Sequence, residues 1–396
     1  MTEEQTIKKA LTPSLLLLMA AATGIAVASN YYAQPLLHTI AENLNLSFTT
    51  AGSIVTVAQL GYALGLVFLV PLGDILERKK LIIIMMLLST AGLVVSACAQ
   101  NFMHLIIGTV LTGLFVVVAQ LLVPFAATLA EPAYRGRAVG IVMSGLLLGI
   151  LLARTFAGIV SELGSWRTVY WVASAMMLCT TVALAIKLPK FYVKNDIHYV
   201  GLIKSIFHLF VQFPALRTRS LLGALDFAVF SVLWTPLAFL LSDAPYHFSD
   251  FQIGLFGLAG AAGALAAPYA GKFADQGKSA YVTRVGLILL LLSWLPLVFA
   301  QSSIILLIIG IIVLDLCVQL VHIINMNEVF KLMPEARNRL NADYMFSYFI
   351  GGTLGSLSSA FVYEHFGWLG VVALGVGLSL LAIIVWEKTK NKYSTI

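Results

Sequence analysis

Five ionisable side chains stand inside long apolar runs of this sequence: Arg154, Asp226, Asp315, His322 and Asp343. In hydrocarbon each costs at least ~2.5–3.5 kcal/mol on insertion scales, so each calls for a partner or a task. Asp315, Gln319 and His322 repeat at i, i+4 and i+7. That spacing puts them within an arc of about 60° on one helix. Such a polar stripe faces either a water-filled cavity or a hydrogen-bonding neighbour helix. Carboxylates and an imidazole in that position can take up and release protons, and Asp226 is a third candidate for the same task. Arg154 keeps its charge and therefore needs an anion. Either a carboxylate in the bundle gives it an internal ion pair, or an anionic solute meets it. Asn30 and Gln34 stand at i, i+4, and with Tyr31, Tyr32, Trp234, Tyr344 and Tyr348 they can line an amphipathic, aromatic cavity for an organic solute.

Covalent chemistry is not indicated. His322 has no second His, Cys or Glu at ligand spacing, and Glu328, six residues on, lies on another face. Cys98, Cys179 and Cys317 sit in apolar runs without a CxxC pair, which reads as structural thiols. No G-x-x-x-x-G-K-[ST] loop is present, so ATP is not the energy source within this chain. The expectation is a protein without metal, cofactor or catalytic residues, and not an enzyme.

The elements that must hold these residues follow from composition. Of 396 residues, 60% are hydrophobic and 11% charged, against roughly 25% charged in a soluble domain. Much of the surface must therefore face lipid. Runs of ~20 apolar residues are needed to span a bilayer, and twelve are found: 12–37, 48–72, 80–98, 102–129, 136–160, 166–187, 219–242, 250–271, 281–300, 303–330, 340–362 and 367–386. The first is too long for a signal-peptide core. Lys and Arg collect in alternate loops; of 24, only Arg154 and Arg167 depart from the pattern. The net charge of +6 thus reflects topology rather than nucleic-acid binding. It places both termini in the cytoplasm.

The chain repeats itself at an offset of 202: Ser47 with Ser249, Gly149 with Gly351, Arg135 with Arg337, Trp166 with Trp368. An even number of spans lies between the copies, so both have the same orientation. The expected architecture is an all-α polytopic membrane protein of twelve transmembrane helices in two pseudo-symmetric six-helix bundles, with the solute site between them. The bundles cover 1–187 and 219–396, and a cytoplasmic linker, 188–218, joins them with an amphipathic stretch at 203–213.

The loop Gly271-Lys272-Phe273-Ala274-Asp275-Gln276-Gly277-Lys278 and its first-half counterpart Gly73-Asp74-Ile75-Leu76-Glu77-Arg78-Lys79-Lys80 resemble the loop motif of the major facilitator superfamily. Asn30-Tyr31-Tyr32-Ala33-Gln34-Pro35-Leu36-Leu37 and the fifth span with Arg154 are similar to bacterial efflux permeases of the drug:proton antiporter kind. The resemblance implies that spans 1, 4, 7 and 10 line the cavity, which brings in Gln120 opposite His322. Solute-binding residues are then expected at Asn30, Tyr31, Gln34, Gln120, Trp234, Gln319 and Tyr348. Proton coupling is expected at Asp226, Asp315 and His322. A cytoplasmic gate is expected from Asp74, Arg78, Arg135, Asp275, Arg337 and Asp343. The implied function is secondary active transport of a small organic solute by alternating access, coupled to protons and directed outwards; uptake by symport is the alternative, and a receptor or intramembrane enzyme the remote one. The implied setting is the bacterial cytoplasmic membrane, with the small-molecule substrate, protons and lipid as partners, no nucleic acid, and a monomeric chain.

Overall fold

A computed structural model describes residues 11–191, 199–260, 278–333 and 336–390. These residues form helices joined by short turns, as a chain must where no water satisfies its backbone. Among them, nine helices are long and apolar enough to cross a bilayer. The longest, Arg337–Thr389, has 53 residues. That is about 80 Å of helix against a hydrocarbon core of ~30 Å. It turns at Gly367, whose φ of 63° and ψ of −161° suit only glycine, so it supplies spans 11 and 12. Span 1 is the pair Pro13–Ala28 and Leu37–Leu44, and Asp250–Gly260 is the described part of span 8. The chain therefore crosses twelve times. Helix starts are marked by Thr12, Ser47, Asn101 and Ser303, whose side chains accept the N–H groups of Leu15, Thr50, His104 and Leu306.

Span 1 is not the unbroken helix expected over 12–37. Pro35 has no N–H, and its ring crowds the carbonyl four residues back. Between Ala28 and Gln34 the chain instead makes turns such as Ser29 N–H to Ala26 O (3.1 Å) and Tyr31 N–H to Ala28 O (2.9 Å). Span 7 breaks likewise: helix Pro214–Trp234 ends at Thr235 and Pro236, and Leu237–Ser242 resumes it. Gln34 and Pro236 are separated by the same 202 residues as the repeat, so the two halves are interrupted at equivalent depth. Span 4 also changes course, at Val116–Val118, upstream of Pro124.

The repeat is visible in the packing. A Cβ on Gly149 would overlap the Gly24 carbonyl of span 1, and a Cβ on Gly351 would overlap the Ala224 carbonyl of span 7. Spans 5 and 11 thus press on spans 1 and 7 in matching fashion, with backbones too close for any side chain.

The two ends of the molecule differ. One end carries Arg78, Arg135 and Arg337 and is called the basic end below; the other carries the turns near 45, 164, 247 and 366 and is called the far end. At the far end the halves are fastened together. Asp250 accepts hydrogen bonds from Thr39 (2.6 Å) and Ser161 (2.7 Å). Glu364 accepts from the backbone N–H of Thr49 (2.7 Å). His38 Nε2 lies 3.6 Å from Asp243, and Phe48 packs on Phe239 at 4.6 Å between ring centres. Deeper contacts follow at Thr56–Ser356 (2.8 Å) and Gln59–Ser231 (3.4 Å), ending at Tyr62 against Phe349 (4.4 Å between ring centres). At the basic end, helix Tyr199–Gln212 lies across the bundle: Leu202, Ile206 and Leu209 are buried, and the Tyr199 hydroxyl donates to Phe68 O at 2.7 Å. Val200, Phe207 and Val211 are exposed and fall on one face of that helix.

Candidate functional site at the seam between the halves

The breaks in spans 1 and 7 bring Gln34 and Trp234 to the same level, where Arg154 of span 5 reaches both. Arg154 is only 4% exposed. Its Nε donates to Gln34 Oε1 at 2.7 Å. Its guanidinium carbon lies 4.0 Å from the centre of the Trp234 ring, 5.1 Å from that of Tyr31 and 5.7 Å from that of Phe230. The electron-rich ring faces attract the cation, by up to about 2 kcal/mol or more where water is excluded. Trp234 then turns its N–H edge to Asp315, donating at 3.1 Å to Oδ1. One indole therefore serves a cation on its face and an anion at its edge, as its charge distribution favours. Gln34, Arg154 and Trp234 share a small cavity with Pro35, Leu237, Ala238 and Ile253.

Among the described residues no carboxylate stands within ion-pair distance of Arg154; Asp315 is the acidic group that acts on it electrostatically. Aromatic faces and one amide oxygen occupy that place, and Nη2 has no hydrogen-bond partner.

The polar stripe of span 10 divides between two neighbourhoods. Seven residues of helix separate Asp315 and His322 by about 10 Å. Asp315 faces Trp234, whereas His322 Nδ1 meets the Tyr344 hydroxyl at 3.0 Å, with its ring 4.5 Å from that of Tyr348. Tyr348 stacks on Phe227 at 4.2 Å. Gln319 lies between the two, half-buried. Asp226, on span 7, is fully buried, and neither of its oxygens has a hydrogen-bond partner. Tyr344, Tyr348 and Cys317 lie within electrostatic reach of it.

Two further residues expected to contact solute do not line the Arg154 cavity. Asn30 is carried by the span 1 break into the interior of the first half, where it lines a pocket with Ser96, Thr109, Thr112 and Tyr170. Gln120 donates to the Tyr62 hydroxyl at 3.1 Å, next to the Tyr62–Phe349 contact.

Of the residues expected to form the gate, Arg78 makes these contacts among the described residues. Arg78 Nη2 is 3.6 Å from Asp74. Its Nε donates to Gly73 O (3.1 Å) and its Nη1 to Thr128 (3.1 Å). Burial lowers the Arg78 pKa, and the Asp74 carboxylate pushes it back up. All of these partners belong to the first half. Arg135 and Arg337 are exposed, Asp343 is buried with Oδ2 unpartnered, and Asp275 lies outside the described residues. Among the described residues the halves are fastened at the far end, through Thr39, Thr49, Ser161 and Asp250, which the sequence did not single out. The signal was positional: Asp250 opens span 8 directly after Ser249, and Thr49 is the second residue of span 2, after the repeat-related Ser47 and Phe48.

Among the described residues the arrangement contains no nucleophile–base pair at its centre and no group of three potential metal ligands. It can bind charge, and its two sides, Arg154 and Trp234, belong to different halves.

The family model described as Major Facilitator Superfamily matches residues 19–242 and again 220–394. The chain is 57% identical over 376 residues to "Putative uncharacterized transporter YgaY" of Escherichia coli (strain K12), covering 95% of each chain. It is 31% identical over 359 residues to "Probable transporter SCO4007" of Streptomyces coelicolor, covering 90% of this chain and 83% of that one. In fold it is similar to a bacterial homologue of the human lysosomal transporter Spinster, solved in an inward-facing and occupied conformation. The TM-score is 0.80 at 15% identity, over 96% of this chain and 97% of that one.

Proposed function

The chain belongs to the Major Facilitator Superfamily, and on that premise we propose that it is a proton-coupled exporter of a small organic solute. It works as a monomer in a bacterial cytoplasmic membrane with both termini inside. The halves, 1–187 and 219–396, rock about the connection 188–218. With Lys and Arg retained in the cytoplasm, the basic end is cytoplasmic, and the fastened far end closes the path to the outside.

The observation that carries this reading is the seam itself. Arg154 of one half rests on Trp234 of the other, backed by Asp315, so a rocking motion would open a charged, aromatic-walled site to one side at a time. Asp226 supports proton coupling: a bare carboxylate with no partner for either oxygen is costly to carry through an occluded state, and a bound proton removes the charge. Asp315 and, through Tyr344, His322 complete the titratable set. The likeness of residues 30–37 to drug:proton antiporters supports the outward direction.

The test is purified protein in liposomes with an acidic lumen holding a pH indicator, screened against a panel of metabolites and drugs. The expected result is lumenal alkalinisation on adding a transported solute, lost in Asp226→Asn. Solute movement that never shifts lumenal pH would refute the coupling.

A further inference from the structure

Arg154 and Asp315 present an unusual pair of half-used groups. Each is at least 95% buried, at 4% and 5% exposure. Arg154 spends Nε on Gln34 and leaves Nη2 unpartnered. Asp315 spends Oδ1 on the Trp234 N–H. Its Oδ2 makes no hydrogen bond among the described residues and lies against Gly260, where an added Cβ would come within 2.5 Å of it. The opposite charges do not touch; they are held apart by one indole.

A direct pair would use these groups up. Separated, they leave one donor and, while Asp315 is ionised, one acceptor on either side of an aromatic wall, with Leu237, Ala238 and Ile253 lining the cavity on the Arg154 side. The charge of a fitting solute follows from elimination. A neutral solute leaves both buried charges short of a partner, which is the costly case. An anion alone pairs with Arg154 but is repelled by Asp315, and a cation alone meets the reverse. A solute carrying both charges a few ångströms apart partners each group and leaves the site neutral.

We propose that the seam is the recognition site for a small zwitterion, whose carboxylate takes the free edge of Arg154 and whose ammonium takes Asp315, with its apolar part on Trp234. The proposal rests on the transporter reading and names its substrate class. The carboxylate partner belongs to the first half and the ammonium partner to the second, so a bound zwitterion bridges the two and favours the occluded state.

The experiment is thermal stabilisation of the purified full-length protein in detergent by free L-leucine and L-phenylalanine, by their methyl esters and by their N-acetyl forms. The free amino acids are expected to stabilise at concentrations at least tenfold below either derivative. Arg154→Gln should erase the preference for acid over ester, and Asp315→Asn the preference for free over acetylated amine. Esters or N-acetyl forms that act as well as the free amino acids overturn the proposal, as does a wild-type protein that no free amino acid stabilises. The wild-type series decides the question even where a variant does not fold. A protein indifferent to all zwitterions that still moves other solutes in liposomes loses this proposal and keeps the transporter reading.

Discussion

The Arg154 guanidinium lies 4.0 Å from the centre of the Trp234 ring, and the two residues belong to different halves of the molecule. The contact joins the halves at the level of two broken helices, spans 1 and 7.

The indole is expected to act through both its face and its edge. Trp234→Phe keeps a ring for Arg154 but removes the hydrogen bond to Asp315; Trp234→Ala removes both. A desolvated cation–π contact of about 2 kcal/mol corresponds to roughly thirtyfold. Solute counterflow should therefore fall modestly in the Phe variant and by more than tenfold in the Ala variant. Equal activity in both would show that Trp234 only fills space.

Coupling is expected to reside in Asp226. Asp226→Asn keeps the shape and removes the titratable group. Downhill exchange of solute should survive, and accumulation driven by a pH gradient should vanish. Full gradient-driven accumulation in this variant would make Asp226 a structural residue, leaving Asp315 and His322 to be tested in the same assay.

How far these roles were legible in the sequence varies with the physics behind each. The fold was legible almost throughout, because span length, Lys and Arg placement and the Gly149–Gly351 repeat are one-dimensional records of a bilayer. The ionisable residues were legible too, since a charge in an apolar run stands out. Their partners were not. Trp234 joins Arg154 to Asp315 across 80 and 81 positions of sequence, and only packing brings them together. The pocket that Asn30 lines depends on the break in span 1 before Pro35, which hydrophobic run length does not record. His322 was grouped with Asp315 by angle around the helix, while the distance along the helix gave each its own neighbours.

The close helix pairs should tolerate no side chain. Gly149→Leu and Gly351→Leu force backbones apart in matching places. Overpacking costs about 1–3 kcal/mol or more, and both variants should lose several degrees of thermal stability in detergent. Unchanged melting of either would contradict the packing and the equivalence of the two sites.

The far-end fastening should weaken in acid. Hydrogen bonds from Thr49 hold the Glu364 carboxyl below its ordinary range. A lowered pKa means that this contribution is present above the ordinary glutamate value and is lost as pH falls through the lowered one. Glu364→Gln should therefore loosen the far end at neutral pH and abolish the acid-dependent part of its opening. The readout is the rate of labelling of a cysteine in place of Ser356, which is fully buried against Thr56 of the other half. A variant as acid-sensitive as wild type would rule out Glu364 as the group concerned.

Alternation of the two ends is tested most directly by distance. Spin labels at Glu42 and Tyr246 report the far end, and labels at Arg135 and Arg337 report the basic end, measured by double electron–electron resonance in lipid nanodiscs. Two populations are expected, one with the far-end distance short and the basic-end distance long, the other reversed. Asp250→Asn, which removes a carboxylate that accepts from Thr39 and Ser161, should shift the balance toward the reversed population by roughly tenfold, since hydrogen bonds to a charged group contribute about 1.5–3 kcal/mol. Distances at the two ends that stay fixed, or that lengthen and shorten together, would contradict alternating access through the Arg154–Trp234 seam.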